Sequence, residues 1–150
     1  MPTKYVLDTC IYIDSLRGDE AAQALKDFLA ARLGTTYLSA VVVQELRAGA
    51  RTAAQIQALE TGVFAPFERR HRVLVPSRNA FKEAGRILSL LALHDGVDLS
   101  RAKASLPNDA LLAASCREHG MALITRDADY IRIAAHLKGF RHVAPWPGSR

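Results

Sequence analysis

Short apolar runs alternate along this chain with stretches in which apolar residues recur every three to four positions. Tyr5-Val6-Leu7 is a continuous apolar triplet, as expected for a strand buried on both faces, and Thr36-Tyr37-Leu38, Val73-Leu74-Val75 and Ala122-Leu123-Ile124 read the same way. Between them, residues 20–32 repeat apolar positions at Ala21, Ala24, Leu25, Phe28 and Leu29, which predicts an amphipathic helix capped by Asp19. Ser39, Thr52 and Ser77 are the expected caps of helices over residues 40–50, 53–64 and 78–93. A further helix over 109–119 stops at Gly120, a residue suited to a left-handed C-cap. Strands and helices in alternation predict an α/β fold, a mainly parallel sheet with helices on both faces, organised as a single domain over residues 1–150. Residues 96–107 are the one long stretch without clear periodicity and read as a loop; 145–150 read as a turn-like, peripheral tail.

With hydrophobic residues at 49%, the chain can bury a core. No apolar run approaches the roughly 20 residues that cross a bilayer. The N-terminal residues lack an apolar stretch followed by a small-residue cleavage site, so a cytoplasmic protein is expected. Cys10 and Cys116 belong to no CxxC and read as small buried hydrophobes, neither a disulfide nor zinc ligands. The five histidines show no zinc-binding spacing and read as surface or structural residues.

The carboxylates carry more chemistry. Asp8 follows the first strand, and Asp127, with Asp129 close behind, follows the strand at 122–124. Ligands of open parallel sheets bind outside the carboxyl ends of the strands, so together these acids would be aimed at one crevice, although either one taken alone reads better as a turn former or helix cap. Glu45 shares a helical face with Val41, Val42, Ala48 and Gly49, while Gln44, Arg47 and Arg51 lie on the polar side; it is expected to point inward, where a carboxylate rarely stays without a partner, which reads as a site with a buried ion pair as the alternative. Asp109 shares its face with Leu112, Ala113 and Cys116 at the start of a helix, where capping is the ordinary alternative. Several carboxylates in one crevice repel each other unless a cation neutralises them, and Mg²⁺ or Mn²⁺ suits an all-oxygen site.

At these residues the chain resembles the PIN-domain nucleases, and the VapC-type toxins among them most closely. Residues 5–13, with Asp8-Thr9 after the strand, resemble the family's first motif; 42–49, with Glu45, resemble the second. Asn108-Asp109-Ala110 resembles the third, and Thr125-Arg126-Asp127 the fourth, with Asp129 as the alternative fourth acid. The resemblance covers essentially the whole chain. It implies a three-layer α/β/α sandwich and a Mg²⁺- or Mn²⁺-dependent endoribonuclease with Asp8, Glu45, Asp109 and Asp127 as catalytic metal ligands. It also implies a small VapB-like antitoxin as inhibitor, and a homodimer. Thr9 and Thr125 are candidates for orienting water or phosphate, with local backbone hydrogen bonds an equal alternative.

Lysine and arginine number 20 against 15 acidic residues, a surplus of +5. Setting four site acids aside leaves 11, so the remaining surface is cationic, as an RNA partner would require. Candidate phosphate contacts are Arg47 and Arg51, the run 69–72, for which a solvated edge is an equal alternative, and Arg101 with Lys103 in the loop. Three rivals stand beside this reading. An aspartyl-nucleophile phosphatase needs a second Asp where this chain has Cys10. A housekeeping RNA-processing nuclease and a non-catalytic RNA- or partner-binding module would share the fold.

Overall fold

The computed structural model describes residues 1–148; Ser149 and Arg150 of the predicted tail lie outside the described residues. Five strands form the sheet: β1 (Tyr5–Leu7), β2 (Thr36–Ser39), β3 (Val73–Leu74), β4 (Ala122–Ile124) and β5 (Arg141–Val143), in the order β3-β2-β1-β4-β5 and parallel throughout. β1 and β4 are buried at every position and lie side by side, with Val6 opposite Leu123 and Leu7 opposite Ile124. Their continuous apolar composition follows from that central placement. β3 is only half-buried because it lies at the sheet edge. Val75, expected in that strand, is exposed beyond its end.

Helices fill the connections: α1 (Thr9–Arg17), α2 (Asp19–Arg32), α3 (Ala40–Gly49), α4 (Ala53–Leu59), α5 (Ala65–Glu68), α6 (Arg78–His94), α7 (Leu106–Glu118) and α8 (Asp129–Ala135). They cover the sheet in the expected three-layer α/β/α sandwich. Ser39, Thr52 and Ser77 are the caps of α3, α4 and α6, each accepting a backbone N–H through its side-chain oxygen. Several expectations are corrected. Asp19 is the first residue of α2 and its cap is Gly18, which makes no side-chain bond. The helix expected over 53–64 is α for one half and widens into a π-type turn over Glu60–Phe64 before α5. α7 begins three residues earlier than expected, with Pro107 in its first turn, where a missing N–H costs nothing. The loop is correspondingly shorter, at 95–105. Gly120 does take the left-handed conformation just past α7, at φ 66°.

From Asp109 to Cys116 every side chain of α7 is buried, so this helix lies inside the molecule with neighbours around its whole circumference. Trp146 corrects the peripheral reading of the tail: it stacks on Phe28 of α2 with ring centroids 4.8 Å apart and packs against the core. Among the described residues no helix is long and apolar enough to cross a membrane.

Candidate functional site

The strand order places β1 beside β4, and the chain leaves these two strands toward opposite sides of the sheet. Such a switch point opens a crevice at the carboxyl ends of the strands, where parallel α/β domains bind ligands. Asp8 stands at this point, one residue past β1, with its backbone N–H bonded to the Ile124 carbonyl at 2.9 Å. It is both the N-cap of α1 and a buried carboxylate, 4% exposed. Its Oδ1 accepts the Thr9 N–H at 2.8 Å, and its Oδ2 accepts the Thr125 hydroxyl at 2.7 Å.

Both threonine hydroxyls donate to carboxylates, and that of Thr125 also makes a local backbone contact. Thr9 Oγ1 donates to Glu45 Oε1 at 2.8 Å, so a single residue holds Asp8 through its N–H and Glu45 through its hydroxyl. Thr125 Oγ1 donates to Asp8 and accepts the Asp127 N–H at 3.0 Å. Cys10, expected to be a buried hydrophobe, is half-buried at the site, its thiol donating to Asp8 Oδ2 at 3.6 Å. Cys116 is buried, as expected, and both thiols are free. Thr125→Val should lower stability by ~1–3 kcal/mol, because it leaves Asp8 Oδ2 buried with only the weak thiol donor. Urea unfolding in EDTA measures this; an unchanged midpoint would show that the hydroxyl contributes nothing.

Glu45 lies half-buried rather than fully inward. Val41, Val42 and Leu46 of α3 are covered, but Ala48 and Gly49 are exposed, since α3 flanks an open groove. Contact between α3 and α7 brings Glu45 into electrostatic range of Asp109. Burial raises the pKa of Glu45, against the opposing bond from Thr9. The pKa of Asp8 is likewise raised by burial, against the opposing bond from Thr125.

Asp109 is 5% exposed and the most perturbed of the acids. Burial, then the charge of Asp8, pushes its pKa up to about 7, with Lys103 opposing. Its Oδ1 accepts from Tyr130 at 3.2 Å, and the same phenol lies 3.4 Å from Asp8 Oδ1, bridging the two acids. Its Oδ2 is buried with no hydrogen-bond partner. A buried carboxylate oxygen without a hydrogen bond, set among other carboxylates, fits the all-oxygen donor set of a divalent cation. One oxygen each from Asp109, Asp127 and Asp129 lies within 4.8 Å of the others, so both candidates for the fourth acid reach the cluster. Asp8 and Glu45 are tied to it through Tyr130 and Thr9, outside that tightest trio.

The basic residues divide. Lys103 does not face outward for phosphate: its ammonium reaches Asp127 Oδ2 at 2.5 Å and Asp129 Oδ2 at 2.8 Å, with Asp109 Oδ2 at 3.6 Å. Arg101 pairs with Asp98 at 3.6 Å. Arg51 turns back onto the Ala48 carbonyl at the end of α3, leaving Arg47 exposed beside it. In the 69–72 run, Arg70 bonds the Pro66 carbonyl and Arg72 the Leu33 carbonyl, so two of its cations serve the backbone. Arg126 grips Asp14 with two nitrogens, at 2.5 and 2.7 Å, and locks α1 to the segment that carries Asp127.

A parallel α/β domain with a carboxylate cleft at its switch point is the class that fold and site define. Within that class the chain belongs to the PIN domain family, which it matches over residues 5–136. No curated protein sequence matches it. Among solved structures, FitAcB from Neisseria gonorrhoeae superposes with a TM-score of 0.68 at 24% identity, covering 95% of this chain and 98% of that one. VapBC2 from Rickettsia felis, bound to a DNA fragment from its promoter, gives 0.66 at 17% identity with the same coverages. VapBC-5 from Mycobacterium tuberculosis, described as a member of a family of toxin–antitoxin systems, gives 0.54 at 22% identity, again covering 95% and 98%.

Proposed function

We propose that this chain is a Mg²⁺- or Mn²⁺-dependent endoribonuclease acting as the toxin of a toxin–antitoxin pair. The observation that carries the metal-dependent part is the orphaned Asp109 Oδ2, buried and facing Asp127 and Asp129 within a cluster that also includes Asp8 and Glu45. Asp8, Glu45, Asp109 and Asp127 would hold the ion, with Asp129 sharing the place of Asp127. A divalent ion bound there offsets charge on phosphoryl oxygens and makes a water molecule more acidic.

The chain's own residues supply the rest. Thr9, Thr125 and Tyr130 restrain the carboxylates through hydrogen bonds, as supporting groups around a metal ligand set do. A carboxylate left without a metal bond could accept the proton of the attacking water. Arg47 remains an exposed candidate for the RNA backbone.

The toxin role draws support from the relatives named above and from a groove beside the site. α1, α3 and α4 enclose a largely apolar cavity of about 420 Å³, with Ile13, Leu46 and Leu59 in its lining and Glu45 at one side. An amphipathic antitoxin segment laid there would bury its apolar face and bring a basic side chain to Glu45. The deciding experiment incubates the purified chain with total cellular RNA in Mg²⁺, Mn²⁺ or EDTA. Cleavage should require the ion, and expression should arrest growth until the neighbouring gene is co-expressed. Cleavage that persists in EDTA would overturn the metal reading. Full activity without growth arrest would make the chain a housekeeping nuclease on the same fold.

A further inference from the structure

The trio of carboxylate oxygens best placed to share a cation already faces one. Lys103 stands in the loop before α7, six residues ahead of Asp109, and its Nζ lies 2.5 Å from Asp127, 2.8 Å from Asp129 and 3.6 Å from Asp109. These are the same three side chains whose oxygens lie within 4.8 Å of one another. The loop that delivers the ammonium is itself built: the Asp98 carboxylate accepts both the N–H and the hydroxyl of Ser100, its carbonyl accepts the Ala102 N–H, and the Lys103 carbonyl accepts the Leu106 N–H at the start of α7. The fit is nevertheless incomplete. At 3.6 Å the ammonium is too far to hydrogen-bond Asp109 Oδ2, which stays orphaned although its side chain is only 6% exposed. A divalent ion with ligand distances near 2.0–2.1 Å would draw that oxygen in where a tethered ammonium does not.

We propose that Lys103 is a tethered cation that closes the metal position of the free chain, so that Lys103 and a divalent ion bind Asp109, Asp127 and Asp129 in mutual exclusion. This rests on the metal-dependent reading above and adds to it a latch that metal must displace. Two cations cannot occupy one set of oxygens at bonding distance, and the lysine stem, 43% exposed, has solvent to withdraw into. The cost appears as weakened apparent metal affinity, because only the fraction of molecules with the latch open can bind. The ammonium also neutralises acids that would otherwise repel one another in the metal-free state.

The test has two arms, both on the intact chain. In the first, wild-type protein is treated with an amine-acylating reagent with and without saturating Mg²⁺, and modification at each lysine is read by mass spectrometry. Labelling of Lys103 should rise severalfold when metal is added, while Lys4, Lys26, Lys82 and Lys138 stay constant as internal references. In the second, Mn²⁺ binding is titrated calorimetrically into wild type and into Lys103→Met, which keeps the stem but removes the charge. The variant should bind on the order of tenfold more tightly; Lys103→Gln serves the same purpose if the methionine variant does not fold. Metal binding to wild type without increased Lys103 labelling, or equal affinity in wild type and variant, would overturn the latch and leave the metal reading standing. Absence of metal binding in every protein would overturn the metal reading itself.

Discussion

Asp8→Asn is expected to reduce metal-dependent RNA cleavage at least about a hundredfold while the chain remains folded. Substitutions one shell removed from a metal commonly cost ~10–100-fold in affinity or activity, and a carboxylate that meets the ion directly should cost no less. The asparagine keeps the shape of the side chain: its Oδ1 can still accept the Thr9 N–H, while its NH2 can donate to the Thr125 hydroxyl in place of accepting from it, so the junction of β1 with α1 survives. Glu45→Gln and Asp109→Asn should behave alike. Asp127→Asn should do more harm than Asp129→Asn, because the backbone N–H of Asp129 holds Oδ1 of residue 127 at 2.9 Å, so an asparagine there turns its NH2 into the cluster in place of Oδ2. Initial rates on an RNA that the wild type cuts, over a range of Mn²⁺ concentrations, make the comparison. Wild-type turnover in a folded Glu45→Gln protein would show that the helical carboxylate has no part in the reaction.

The same acids should make the metal-free protein sensitive to pH in a direction opposite to ordinary acid denaturation. Burial and the charge of Asp8 hold the Asp109 carboxyl at a pKa of about 7, against 3.8 for an unperturbed carboxyl. A folded-state pKa raised in this way contributes stability that is fully present below the unfolded value and is lost as pH rises through the folded one. In EDTA, stability should therefore fall between about pH 4 and pH 7. A tenfold change in proton affinity is worth about 1.4 kcal/mol, so the loss from this one group approaches ~4 kcal/mol. Asp109→Asn cannot ionise and should lack this fall, so at pH 7.5 in EDTA the variant should be the more stable protein, although it is the less active one. Saturating Mg²⁺ should restore the wild type and leave the variant little changed. Urea unfolding at pH 5 and pH 7.5, with EDTA or Mg²⁺, gives all the comparisons; parallel pH curves for the two proteins in EDTA would mean that Asp109 is already ionised without metal.

Local patterning carries much of the fold. The apolar triplets at 5–7 and 122–124 declare strands buried on both faces, because a central parallel strand has no polar side to show. Asp8 and Asp127 just past those strands, Glu45 on its helix and Asp109 in a first turn are visible as residue types at positions, which is what a motif records. α1 is not legible in the same way, since Ile11-Tyr12-Ile13 is a β-favouring run. Nor is β5, where Arg141-His142-Val143 has no apolar continuity and becomes a strand by pairing with β4.

What the tertiary structure alone decided is how the acids are held. Thr9 joins Asp8 to Glu45 across 36 residues, and Thr125 reaches Asp8 across 117. Tyr130 bridges Asp8 and Asp109, while Lys103 crosses 24 residues to lie on Asp127. No periodicity could signal these pairings, because each partner sits on a different element and they meet only where β1 and β4 lie side by side. Burial turned the ordinary Asp109 carboxyl into a strongly perturbed one, since α7 is enclosed around its whole circumference. Local sequence determines which face a residue takes on its own strand or helix, whereas charge, protonation and metal affinity depend on neighbours that only long-range packing brings within a few ångströms.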